Sequence, residues 1–306
     1  MSSTRLNKYD TLKGILILLV LLGHIIGDQG GNIFSKIVVF STYAFHMPLF
    51  MTITGKFAKF KPFDALLYIA LFFVFDAWFV FTTGIFYLLI PLFARITSRK
   101  MQLVTIGITV IIGLLSGFLP LGTENEAIAR CMTFLPYFLL GYYNVFEWRP
   151  IKHKILPAIP LILFTVFALP VLCGNALVPL FMCDQYGHHT IVTRCMVYVL
   201  GIIWTWWILN VTTNENVPVF TKLGRSTLWI YLLHEPMQAF LFPLLIVLNQ
   251  RLGIQLFSIQ ALVAVAWCLL LWPVAILFQK GTIWLLRKLK PLNEWCQRKF
   301  MPQQKS

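Results

Sequence analysis

Three histidines lie inside apolar runs of this chain: His24 in LVLLGHII, His46 in AFHMPLF and His234 in IYLLHEP. An ionisable side chain in such surroundings is costly, so each is a candidate for function. A neutral imidazole accepts and returns a proton near neutral pH, which is the chemistry of a general base. Lys13 precedes His24 by eleven residues. On a helix that is three turns, which puts both on one face about 16–17 Å apart. The same pair also fits a plainer role, a snorkelling lysine and a histidine satisfied by a neighbouring helix. His46 stands ten residues before Lys56, and His234 nine residues after Arg225. Each is therefore about 13–15 Å from one end of its segment. Three segments thus bring a histidine to a similar depth, as helices around a shared polar cavity do. His46-Met47-Pro48 and His234-Glu235-Pro236 also share an H-x-P pattern. Proline frees a carbonyl one turn earlier and opens polar space beside the histidine. In two oppositely running helices the same pattern is compatible with an inverted repeat of the transporter kind. There is no H-E-x-x-H, no G-x-S-x-G and no glycine-rich phosphate loop, so neither a metal site nor a serine hydrolase is expected.

The elements that must position these residues are transmembrane helices. Of 306 residues, 58% are hydrophobic and 12% charged, about half the charged share of a soluble domain. Apolar stretches recur at 12–28, 33–55, 63–81, 83–97, 101–120, 130–147, 154–174, 190–210, 227–248 and 256–286. The expectation is an all-α polytopic membrane protein of about ten spans, with a tight hairpin at Thr82-Thr83-Gly84. It forms one membrane domain over 1–306, ending in a basic tail over 287–306. The first segment follows Arg5, Lys8 and Lys13 and has no small-x-small cleavage site after it, so it reads as a retained helix.

Charge sets the orientation. With both termini in the cytoplasm, all but four (Lys36, Arg130, Arg194 and Arg251) of the 25 Lys and Arg fall in cytoplasmic segments. The net charge of +14 therefore reads as topology and contact with anionic lipids, with no nucleic-acid partner. The tail reads as an amphipathic or disordered segment on the inner leaflet. Trp204, Trp206 and Trp207 read as an interfacial aromatic belt. Cys173 and Cys183 have the spacing to pair across an external loop, but buried free thiols are expected for all six cysteines. His153, His188 and His189 fall in loops or at helix ends.

Tyr9-Asp10-Thr11-Leu12-Lys13-Gly14 through Leu22-Gly23-His24 resembles the first helix of the acyltransferase-3 family of membrane O-acyltransferases, marked by a basic residue, ten positions and a histidine. Phe45-His46-Met47-Pro48-Leu49-Phe50 with Ile53-Thr54-Gly55 looks like its second-helix motif. Phe134 to Tyr142 and Leu223 to His234 are similar to further family segments, and the fucose-4-O-acetylase-like subgroup is the nearest in pattern. Two positions depart from the family: Lys13 stands where arginine is usual, which loses bidentate phosphate recognition but keeps charge, and Thr54 where serine is common.

The resemblance implies transfer of an acyl group, usually acetyl from acetyl-CoA as co-substrate, to a hydroxyl of a cell-surface or lipid-linked carbohydrate. It also implies a multi-pass protein of a bacterial plasma membrane. In that reading Lys13 and Arg225 hold the donor's phosphates, Asp10 orients Lys13, and His24 takes the acceptor's proton. His234 and His46 orient the acceptor, stabilise the oxyanion or relay the proton. Direct transfer and transfer through an acyl-histidine both remain open. The competing function is a secondary transporter with a histidine proton relay. It would call for mid-span acids, of which Glu235 is the main example, Asp76 lying near a helix end.

Overall fold

The computed structural model describes residues 7–29, 37–38, 41–119, 126–146, 158–168, 185–186, 190–252 and 257–301. Parts of the expected spans 33–55 (33–36 and 39–40) and 154–174 (154–157 and 169–174) lie outside the described residues. So do His153, His188, His189, Cys173, Cys183 and Lys36. The described residues are helical, with no strand among them. In chain order they form α1 (Asn7–Gln29), α2 (His46–Lys56), α3 (Pro62–Phe75), α4 (Trp78–Phe93) and α5 (Arg99–Leu115), the last ending in a 3-10 turn over Ser116–Phe118. There follow α6 (Glu126–Tyr142), α7 (Ala158–Leu163, passing into a π-helical turn over Phe164–Ala168), α8 (Ile191–Val211), α9 (Pro218–Arg225), α10 (Thr227–Leu252) and α11 (Phe257–Phe300).

Among the described residues, four segments are long and apolar enough to cross a membrane: Asn7–Ile26, Arg99–Phe118, Ile191–Val211 and Ile259–Phe300. Helices α3 and α4 are apolar but shorter. The chain falls into two compact units. One comprises Met1–Phe50, Trp148–Leu180 and Ile203–Lys280; the other comprises Met51–Glu147, Phe181–Ile202 and Gly281–Ser306.

In the first unit α1 is the inner element. Leu16, Ile17, Leu21 and Ile25 on it are fully buried, as expected of a helix apolar on nearly every side. Against its N-terminal half lies α9, so close that a Cβ on Gly14 would meet the Phe220 carbonyl and one on Gly224 the Asp10 carbonyl. Two glycines thus let two backbones touch, and the Thr11 and Thr221 hydroxyls hydrogen-bond across the contact at 2.9 Å. Lys8 adds its backbone N–H to the Asn214 side chain (3.2 Å) and its ammonium to the Leu209 carbonyl (3.3 Å). Trp229 of α10 stacks on Phe278 of α11, and Gln279 joins the Ser226 hydroxyl to the Arg225 carbonyl.

In the second unit the α2–α6 crossing uses the same device: Cβ atoms on Gly55 and Gly141 would meet the carbonyls of Phe138 and Thr52. Tyr198 stacks on Tyr137 and donates to the Thr133 carbonyl at 2.8 Å.

Two expectations are corrected. The α3–α4 break falls at Asp76-Ala77, not at Thr82-Thr83-Gly84, which lie inside α4. Asp76 ends α3 in the left-handed conformation (φ 52°), which a short polar side chain tolerates, and its N–H caps the Phe72 carbonyl. Gly84 is instead a packing position, where a Cβ would press on the Ala65 carbonyl. Trp204 is not part of an outward belt. It is buried, donates to the Thr165 hydroxyl at 3.0 Å and lies against Phe45, whereas Trp206 is exposed.

Candidate functional site

The first cluster sits at the start of α1. The Asp10 carboxylate, 5% exposed, is held between two cations: Lys13 Nζ is 3.1 Å from Oδ1 and Arg225 Nε 3.6 Å from Oδ2. Lys13 is one turn on from Asp10, while Arg225 is delivered by α9 through the Gly224 contact. Both cations remain partly exposed, at 28% and 46%, so each keeps N–H donors for an anionic ligand. Lys13, Asp10 and Arg225 are therefore one assembly.

The second cluster lies three turns further along α1. His24 and His234 meet edge to face with ring centroids 4.8 Å apart. His24 Nε2 is 4.0 Å from a carboxylate oxygen of Glu235. Buried His234 places Nδ1 against the Tyr231 carbonyl one turn back. A carbonyl only accepts, so Nδ1 carries the proton and Nε2 keeps its lone pair. That Nε2 is buried and has no hydrogen-bond partner among the described residues. His24 and Glu235, by contrast, are 33% and 39% exposed. The arrangement is a reachable imidazole and carboxylate backed by a buried imidazole whose lone pair is unused.

His46 occupies a neighbouring position. It opens α2, is buried, and donates Nδ1–H to the Thr42 carbonyl at 2.9 Å. Tyr43 bridges the two places: its ring meets His46 edge-on at 4.9 Å and lies against Gly23, the residue before His24. Both histidines of the H-x-P pairs thus bond a carbonyl one turn back. Pro48 removes the N–H that would bond Ala44, and the helix turns at Ala44-Phe45.

Chemically, His24 can take a proton and the Glu235 carboxylate can stabilise the imidazolium that forms. His24, His234 and Glu235 also offer one donor atom each within 4.8 Å of one another, the ligand types that hold zinc or iron. Glu235 was not among the site residues expected from sequence, although a carboxylate beside a mid-span histidine was a visible signal. Arg225 was expected beside the donor's phosphates, but its contact with Asp10 depends on where α9 docks and has no signal in spacing.

A family model described as an acyltransferase domain matches residues 59–276, which include Arg225, His234 and Glu235 but begin after Lys13, His24 and His46. No curated protein and no solved structure matches the chain.

Proposed function

The chain belongs to that acyltransferase family, the acyltransferase-3 family, and from this premise we propose that it transfers an acetyl group from acetyl-CoA to a hydroxyl of a cell-surface or lipid-linked carbohydrate. The observation that carries the reading is that α1 holds Lys13 at its start, with Arg225 of α9 on the same Asp10 carboxylate, and a reachable histidine with a carboxylate partner three turns on. The two are about 16–17 Å apart along the helix, a separation suited to a donor with phosphates at one end and a thioester at the other.

Lys13 and Arg225 bind the donor's phosphates by charge, and Asp10 fixes where those charges stand. His24 Nε2 removes the proton of the acceptor hydroxyl as its oxygen attacks the thioester carbonyl. The C–S bond breaks, the coenzyme leaves as thiolate, and the imidazolium returns the proton to it. Glu235 stabilises His24 while it is protonated. His234 and His46 hold the acceptor and the polar space around it. The chemistry uses no metal. The enzyme works in the plasma membrane of a bacterium, with about ten spans and both termini in the cytoplasm. A proton-relay transporter would use the same histidines, but membership of an acyltransferase family does not favour it.

Mass spectrometry of surface glycans, with and without the protein, tests the reaction. An acetyl difference is expected on a glycan of the producing cells. Purified protein should also release free coenzyme A from acetyl-CoA when acceptor is present, at a rate unchanged by a chelator. Identical glycans and no acceptor-dependent thiol release would refute the assignment.

A further inference from the structure

The second unit contains a groove of about 390 Å³ between the α2–α3 loop and the C-terminal part of α11. None of its lining residues takes part in the chemistry above. Its cations come from two places: Lys59 and Lys61 on the loop, Arg287 and Lys290 on the helix. Two acids face them, and each is already engaged. Asp64 pairs with Lys61 at 3.3 Å and Glu294 with Lys290 at 3.6 Å. Lys59 and Arg287 make no ion pair among the described residues, so the groove keeps an excess of two positive charges.

Its floor is built, not incidental. Asn293 is 3% exposed, donates to Asp64 Oδ1 at 2.7 Å and accepts the Phe63 N–H at 3.0 Å. Gln297 donates to the Phe60 carbonyl at 2.6 Å. Arg287, Lys290, Glu294 and Gln297 recur at helical spacing and so share a face. Ile283 and Leu286 continue that face as an apolar wall. Cations at a polar end and an apolar wall beside them match an amphiphile with a phosphorylated head.

We propose that this groove binds a phosphate ester, with Lys59 and Arg287 as its principal contacts and with Gln297 and Asn293 holding the loop and the start of α3 against α11. A lipid headgroup and a soluble organic phosphate carry the same chemistry, and the test separates them. Protein is purified with phosphatidylglycerol, and bound lipid is titrated by native mass spectrometry. Soluble binding is measured by calorimetry with glycerol 3-phosphate. The Lys59→Gln/Arg287→Gln variant is compared with Lys100→Gln/Lys280→Gln, which removes equal charge from exposed positions off the groove.

The groove variant should lose about 30-fold in affinity, each basic side chain near the surface contributing about fivefold. The control should lose little. Loss confined to phosphatidylglycerol identifies a lipid site; loss confined to glycerol 3-phosphate identifies a soluble ligand. Equal losses in both variants, or none, would overturn the proposal and leave only diffuse surface charge. If the double variant does not fold, the single variants should each show about a fivefold loss.

Discussion

At the scale of the residue, what separates His24 from the other two histidines is access. His46 and His234 are buried with Nδ1 committed to a backbone carbonyl, whereas His24 is a third exposed beside the Glu235 carboxylate. As the base, His24 should be dispensable for folding and indispensable for turnover. His24→Ala and His24→Gln should slow acetyl transfer by about 10²–10⁴-fold while the melting temperature and donor binding stay near wild type. A buried structural histidine would behave in the opposite way, losing folded protein but not activity per folded molecule. Glu235→Gln should lower kcat by less than His24→Ala, with the KM for the donor unchanged. At the other end of α1, Lys13→Ala should raise the donor's KM, and Lys13→Arg should retain or lower it because guanidinium offers a bidentate fork to phosphate. Unchanged donor KM in both would make Lys13 a topology charge alone.

At the scale of the element, the long apolar helices were legible because composition alone demands them. α1, α8 and α10 begin within a few residues of their expected starts. The misplaced α3–α4 break shows where pattern reading fails. Thr-Thr-Gly looks like a turn, yet a tertiary neighbour needs Gly84 for close packing, and Asp76 supplies the left-handed residue instead. α9 is only eight residues long, and its place is set by backbone contact with α1 at Gly14 and Gly224, which no spacing within α9 shows. The basic tail is helical as far as Phe300, with Asn293 and Cys296 buried. Of the site, the histidines and Lys13 could be found by spacing. The pairing of Arg225 with Asp10 could not, because it depends on where α9 docks. This gives a mutational contrast. Gly224→Ala places a methyl against the Asp10 carbonyl and should cost about 1–3 kcal/mol. It should also raise the donor's KM by displacing Arg225. Gly107→Ala meets nothing within 4 Å in a helix interior and should stabilise by about 0.5–1 kcal/mol. Thermal denaturation in detergent, with donor kinetics alongside, reads both.

At the scale of the whole molecule, the question is which loops share a side of the membrane, and contacts inside each unit bear on it independently of charge. In the second unit the α2–α3 loop touches the C-terminal part of α11 through Gln297, and the first turn of α3 touches it through Asn293. Lys56, at the end of α2, bonds Asn144 just after α6. Arg99, at the start of α5, donates to the carbonyls of Tyr143 and Val145. Those segments must therefore lie at one surface, and they carry Lys59, Arg99 and Arg287, which the charge count puts in the cytoplasm. The far end of α5 has different neighbours. Arg194 bonds Gly113 and Ser116, and the Tyr186 N–H bonds the Gly117 carbonyl. Between these ends run the 20 residues Arg99–Phe118, about 30 Å of helix and so enough for one crossing. In the first unit the start of α1 meets the segment after α8 through Lys8 and Asn214, which again joins two regions assigned to the cytoplasm. The ten-span arrangement thus predicts a specific pattern for single cysteines in a cysteine-free background. Positions 59, 99 and 152 should react with a membrane-impermeant maleimide only after the cells are opened. Positions 118, 125 and 187 should react in intact cells. Positions 99 and 118 are the decisive pair because they bracket one helix. Labelling of both from the same side would mean that α5 does not cross, and the ten-span arrangement would fail.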